Sequence, residues 1–156
     1  VKRIPEVLLV DDNPADVVLA REALAESRFQ CRVHSVVDGE EAIAFLRHEG
    51  MYANAERPDL MILDLNLPKK DGPTVLAEVR ADPELRDLPV VVFTTSQWSR
   101  DVERSYELGA NCYVSKPVSL REYFSAVQSI EQFWLGFASL PQKRTDGPTS
   151  DKCIAH

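Results

Sequence analysis

A chain of 156 residues, 44% hydrophobic and 28% charged, is long enough to bury a core without disulfides or a structural metal. Its net charge of -7 excludes the basic footprint of a nucleic-acid binder, and no apolar run approaches a membrane span. The opening Val1-Lys2-Arg3-Ile4-Pro5-Glu6 has no signal-peptide core. Cys31, Cys112 and Cys153 are odd in number and lack metal spacing, and His34, His48 and His156 form no ligand pair. The expectation is a cytoplasmic protein with reduced thiols and with neither a membrane nor a nucleic-acid partner.

Val7-Leu8-Leu9-Val10 is wholly apolar and too short for a helix, so it reads as a strand covered on both faces. It ends in Asp11-Asp12. Asn13-Pro14 then opens a helix, with Asn as cap and Pro in the first turn. That helix runs to about Glu26, with Val17, Ala20 or Val18, and Leu24 on its inner face. Cys31 to Val37 reads as a shorter strand. Asp38-Gly39 starts a second helix, in which Ala42, Ile43 and Leu46 point inward. Gly50 to Arg57, carrying Tyr52 and Asn54, is longer than a minimal link. Leu60 to Leu63 is another unbroken apolar run and delivers Asp64 to its carboxyl end. Pro68, the Lys69-Lys70-Asp71-Gly72 turn and Pro73 stop it, and a third helix follows to about Arg80.

Asp82-Pro83 and Leu88-Pro89 bracket a loop before the fourth strand, Val90-Val91-Val92-Phe93, which ends in Thr94-Thr95-Ser96. A fourth helix stops at Gly109, a left-handed cap. Cys112-Tyr113-Val114-Ser115 is the fifth strand and leads into Lys116-Pro117. The last helix spans about Ser119 to Ala138. Strand and helix alternate throughout, which predicts a doubly wound α/β domain with a five-stranded parallel sheet. Residues 1–140 form that domain, and residues 141–156 are expected to be a loose tail.

Strand ends carry the chemistry. In a sheet of order 2-1-3-4-5, strands 1 and 3 are neighbours at the switch point where ligands bind. Asp11, Asp12 and Asp64 then share one crevice, where like charges repel without a cation. Mg²⁺ suits such a site, since it takes oxygen ligands and keeps several waters. Lys116 can pair with a phosphate oxygen, and the Thr94 hydroxyl can donate to another. The set fits phosphoryl transfer to Asp64, which needs positioning more than proton chemistry. Phosphatases with an Asp nucleophile commonly place a second Asp two residues on, to hydrolyse the intermediate. Asn66 stands there instead and cannot move a proton, though its backbone carbonyl can ligate a metal. An aspartyl phosphate on Asp64 should persist, as a signal does. Taken singly, each residue has a blander reading: Asp11-Asp12 as helix-dipole partners, Thr94 and Tyr113 as strand residues, Lys116 as a surface charge, and Met61, Cys31 and Cys112 as packing.

Over about Val7 to Ile130 the chain resembles the receiver domains of two-component response regulators, the CheY-like family. The likeness implies the same (βα)5 fold, with the acidic pair on Asp11 and Asp12 and the phosphoacceptor on Asp64. It also implies the metal-binding carbonyl on Asn66, the switch hydroxyl on Thr94, the switch aromatic on Tyr113 and the phosphate-binding lysine on Lys116. In the family a cis peptide bond precedes the proline that falls on Pro117. Regulators of this kind are not enzymes; they accept phosphate and lose it slowly. Arg57-Pro58-Asp59-Leu60 leading into Leu63-Asp64-Leu65-Asn66-Leu67-Pro68, with the long last helix, is similar to stand-alone regulators serving phytochrome histidine kinases. The alternatives are a chemotaxis-type or phosphorelay receiver serving another kinase, a Mg²⁺-dependent phosphohydrolase, a flavodoxin-like cofactor binder, or a pseudo-receiver.

Ile130, Phe133, Trp134 and Phe137 recur at i, i+3, i+4 and i+7, an apolar stripe on a last helix roughly 30 Å long. Either the three aromatics fold back on their own core, or they form a protein surface. The second reading predicts a homodimer.

Overall fold

The computed structural model describes residues 3–141. Five strands, β1 Glu6–Val10, β2 Arg32–Val36, β3 Leu60–Leu63, β4 Val90–Thr94 and β5 Cys112–Ser115, form one sheet. Its order is β2-β1-β3-β4-β5, and every neighbouring pair is parallel. This is the doubly wound five-stranded sheet expected. Around it lie α1 Pro14–Ala25, α2 Gly39–Leu46, α3 Gly72–Ala81, α4 Ser99–Glu107 and α5 Leu120–Glu131. A 3₁₀ turn occupies Gly50–Tyr52 inside the long loop after α2.

Every residue of β1, β3 and β4 is buried, which is why all but Glu6 at the start of β1 and Thr94 at the end of β4 are apolar. Side chains still alternate between the two faces. Leu8, Val10, Met61, Leu63, Val90 and Val92 pack with Phe45 and Leu46 of α2 and Val75, Leu76 and Val79 of α3. Val7, Leu9, Leu60, Ile62, Val91 and Phe93 pack with Ala20, Ala23 and Leu24 of α1 and Tyr123, Val127 and Ile130 of α5. On α1 the inner face takes Ala20, while Val18 stays exposed. Met61 is fully buried, and Cys31 and Cys112 are half-buried free thiols packed on the core. Cys153, His156 and nearly all of the expected tail lie outside the described residues.

Helix starts follow side-chain chemistry. The Asn13 side chain accepts from the N–H groups of Ala15 and Asp16, with Pro14 opening α1. Asp38, Asp71 and Ser119 accept from Glu41, Thr74 and Glu122 in the same way. Each cap satisfies a backbone donor that the first turn leaves free. Gly109 ends the α4 segment at φ 104°, a conformation open to glycine at little cost.

Two expectations need correction. Among the described residues no peptide bond is cis, so Lys116–Pro117 is trans, the isomer that an X–Pro bond intrinsically favours by about 0.5–1 kcal/mol. The last helix is also not one uniform α-helix. After Glu131 it passes into a π-helical turn, Gln132–Phe137, closed by the Ala138 N–H donating to the Phe133 carbonyl at 2.7 Å. A π turn carries more residues per turn than an α-helix, so the four-residue stripe does not stay on one face. Ile130 is only 5% exposed and belongs to the core. Trp134 packs partly on the same core, its ring edge-on to Phe133 at 5.3 Å. Phe133 and Phe137 are 54% and 79% exposed. The loop after α1 holds this extension: the Ser27 hydroxyl bonds to the Glu131 carboxylate, and the Phe29 ring lies where a Cβ on Gly136 would fall.

Candidate functional site

The register of β1 against β3 builds the site. Val10 pairs with Leu63, and the ladder continues one step, the Asp64 N–H donating to the Val10 carbonyl at 3.0 Å. On the other side the Asp11 N–H donates to the Val36 carbonyl at 3.1 Å. Asp11 and Asp64 therefore leave adjacent strands at the same sheet edge. Carboxylate oxygens of Asp11, Asp12 and Asp64 lie within 4.8 Å of one another. Asp11 and Asp64 are buried, while Asp12 faces solvent. The Asp11 side chain also accepts the Asn13 N–H at 2.9 Å.

Lys116 enters from the far edge. Its N–H donates to the Thr94 carbonyl at 2.6 Å, extending the β4–β5 ladder. Its ammonium then reaches Asp11 Oδ2 at 2.7 Å, Asp16 Oδ2 at 2.8 Å and Asp64 Oδ2 at 2.9 Å. Burial disfavours the ammonium, but these three carboxylates outweigh it and raise the Lys116 pKa above the usual lysine range. Burial also lifts the Asp11 carboxyl above its ordinary value, against the lowering effects of Lys116 and the Asn13 N–H. Asp16 was not singled out from the sequence. Its one signal is position: it is the acidic residue in the first turn of α1, directly after the acidic strand end.

Thr94 is completely buried and its hydroxyl has no hydrogen-bond partner. A buried hydroxyl left unpaired costs free energy, so an acceptor arriving beside it would be bound favourably. The half-buried Tyr113 hydroxyl donates to the Ser96 carbonyl at 2.9 Å, so in this state it is tied to the loop between β4 and α4. The Asn66 N–H donates to Asp64 Oδ1 at 3.3 Å. Asn66 borders two open clefts: one of about 430 Å³ shared with Asp12, Pro68, Asp71 and Arg104, the other of about 720 Å³ running along Thr95 to Ser99. Gly72 at the start of α3 presses on the Asp64 backbone, and a Cβ there would collide with the Asp64 carbonyl.

The donors suit a hard divalent cation: all are oxygens, and one of the three carboxylates remains open to solvent and its waters. Lys116 and the unpaired Thr94 hydroxyl suit a phosphoryl group beside that cation. Such a site at the carboxyl edge of a 2-1-3-4-5 sheet defines a class of protein, and the receiver domain family of response regulators matches residues 7–128. The chain belongs to this family and is a regulator of the two-component kind.

Particular relatives are similar across nearly their whole length. Response regulator Rcp1 of Synechocystis is 49% identical over 135 residues, covering 86% of this chain and 92% of Rcp1. The probable methanogenesis regulatory protein FilR2 of Methanothrix harundinacea is 38% identical over 136 residues, covering 86% of each chain. The phosphorylated cyanobacterial phytochrome response regulator RcpA superposes with a TM-score of 0.87 at 52% identity, covering 90% of this chain and 100% of that one. The Mn²⁺-bound form of Rcp1 gives 0.85 at 48%, covering 88% and 99%. Among the described residues no helix is long and apolar enough to cross a membrane.

Proposed function

We propose that Asp64 accepts a phosphoryl group from the phosphohistidine of a sensor histidine kinase, with Mg²⁺ as cofactor, and that the modified protein signals by protein contact. The kinase is of the phytochrome type, by analogy with RcpA. One observation carries the reading: the Lys116 ammonium is held 2.9 Å from a buried Asp64, while the buried hydroxyl of Thr94, at the end of β4, is unpaired.

Asp11, Asp12, Asp64 and the Asn66 backbone carbonyl would hold the cation. It would neutralise charge on the incoming phosphoryl oxygens. The protein's own residues do the rest. Asp64 supplies the nucleophilic oxygen, and its Oδ1 is oriented by the Asn66 N–H. Lys116 exchanges its contact with Asp64 for a phosphoryl oxygen, which stabilises charge developing in transfer. Thr94 donates its free hydroxyl to another. Drawing Thr94 toward the phosphoryl group opens space that Tyr113 fills by leaving the Ser96 carbonyl. These contacts differ between the two states, as a switch requires. With Asn66 in place of a second acid, hydrolysis is slow, and the protein acts as a signal carrier and not as a turnover enzyme.

The receiver unit is residues 1–140, and the protein works in the cytoplasm. It forms a homodimer through the end of the last helix, where Phe133 and Phe137 supply the exposed aromatics and Trp134 their backing; Ile130 takes no part. Acetyl phosphate with Mg²⁺ tests the central claim. Intact-mass measurement should show one phosphoryl adduct on the wild type and none on Asp64→Asn. Equal labelling of that variant would overturn the assignment.

A further inference from the structure

Lys116 has three carboxylate partners, and two of them have another role. Asp11 and Asp64 both belong to the oxygen cluster suited to a divalent cation, and Asp64 is also the proposed acceptor. Asp16 is outside that cluster. An ammonium carries three N–H donors, and Asp11, Asp16 and Asp64 take one each at 2.7, 2.8 and 2.9 Å. A cation drawing negative charge from Asp11 and Asp64 weakens the hold of both on the lysine. Asp16 is then the partner that remains.

The Asp16 backbone is fixed from two sides. Its N–H donates to the Asn13 cap at 3.3 Å, and its carbonyl accepts the Tyr123 hydroxyl of α5 at 3.1 Å. Tyr123 is 4% exposed and its ring lies 5.3 Å from that of Phe93. The carboxylate therefore projects from a rigid point, and neither anchor depends on the side chain that contacts Lys116. A four-carbon stem left without such a partner would sample several rotamers.

We propose that Asp16 is a positioning residue: it keeps the Lys116 ammonium aimed at the acceptor oxygen once a metal has engaged Asp11 and Asp64. This rests on the reading of Asp64 as phosphoacceptor. A merely structural ion pair would matter equally with or without metal. A positioning partner matters most when the metal is present.

Acetic anhydride labelling of Lys116, read by peptide mass with and without Mg²⁺ alone, separates the two. The wild-type lysine should be protected in both conditions. In Asp16→Ala it should be protected without Mg²⁺, where Asp11 and Asp64 still hold it, and label severalfold faster with Mg²⁺. Asp16→Asn retains the shape and an oxygen acceptor and should fall between. At saturating Mg²⁺, phosphorylation of Asp16→Ala by acetyl phosphate should slow by about tenfold or more, because small misplacements of a catalytic group are costly. Labelling of the Ala variant that ignores Mg²⁺, or a phosphorylation rate within about twofold of wild type, would overturn the proposal. If the wild type takes up no phosphoryl group, the proposed function fails, yet the labelling contrast still decides the role of Asp16.

Discussion

Lys116 Nζ lies 2.9 Å from Asp64 Oδ2, and both residues are buried although 52 positions separate them in the chain. Their meeting requires three adjacent strands, since Asp64 follows β3 and Lys116 follows β5 with β4 between them. The same ammonium neutralises Asp11 and Asp16. Removing it leaves a pocket of unpaired carboxylates.

Lys116→Ala should therefore destabilise the protein, by about 3–5 kcal/mol for a broken buried pair. Mg²⁺ should stabilise this variant more than the wild type, because the cation no longer competes with the lysine. Urea unfolding with and without Mg²⁺ measures both effects. The idea that lysine and metal share these oxygens does not stand if Mg²⁺ stabilises the two proteins equally.

Thr94→Val should stabilise the unmodified protein by about 1 kcal/mol, since it replaces an unpaired buried hydroxyl with a methyl group of similar shape. The variant should still take phosphate at Asp64 but lose the response in Tyr113. Tyrosine resonances before and after acetyl phosphate report this directly. A normal Tyr113 shift in the variant would route the coupling elsewhere.

Glu131 is almost fully buried at the junction of α5 and the π turn, and burial raises its pKa against the opposing effect of the Ser27 hydroxyl. A carboxyl with a raised folded pKa contributes stability below its unfolded pKa and loses that contribution as pH rises through the folded value. Glu131→Gln keeps the shape and does not ionise. Its melting temperature should exceed that of the wild type at pH 8, and the gap should close toward pH 4. A gap independent of pH would show that charge is not the cause.

Ile130 and Phe137 should separate core from interface. Ile130→Ala should cost about 2–5 kcal/mol, the range for truncating a buried aliphatic side chain. Phe137→Ala together with Phe133→Ala should change stability little and convert the proposed dimer to a monomer that still accepts phosphate. Light scattering on the wild type at tens of micromolar should give twice the chain mass; a mass near one chain would remove the dimer.

Much of the fold was legible because parallel strands covered on both faces must be apolar throughout. Val7 to Val10, Leu60 to Leu63 and Val90 to Phe93 could be read as strands from that alone, and Asn13, Asp38 and Gly109 marked helix ends through local backbone chemistry. Asp11, Asp12, Asp64, Thr94 and Lys116 were visible for a related reason: each stands where an apolar strand stops. Local pattern could not decide what depends on distant partners. Asp16 joins the site through a lysine 100 positions away, and Ala20 and not Val18 turns inward because of how α1 lies on the sheet. The stripe at Ile130, Phe133, Trp134 and Phe137 assumed the α-helical period. The π turn after Glu131 changes that period where the chain meets Ser27 and Phe29, so tertiary packing decided which aromatics reach solvent.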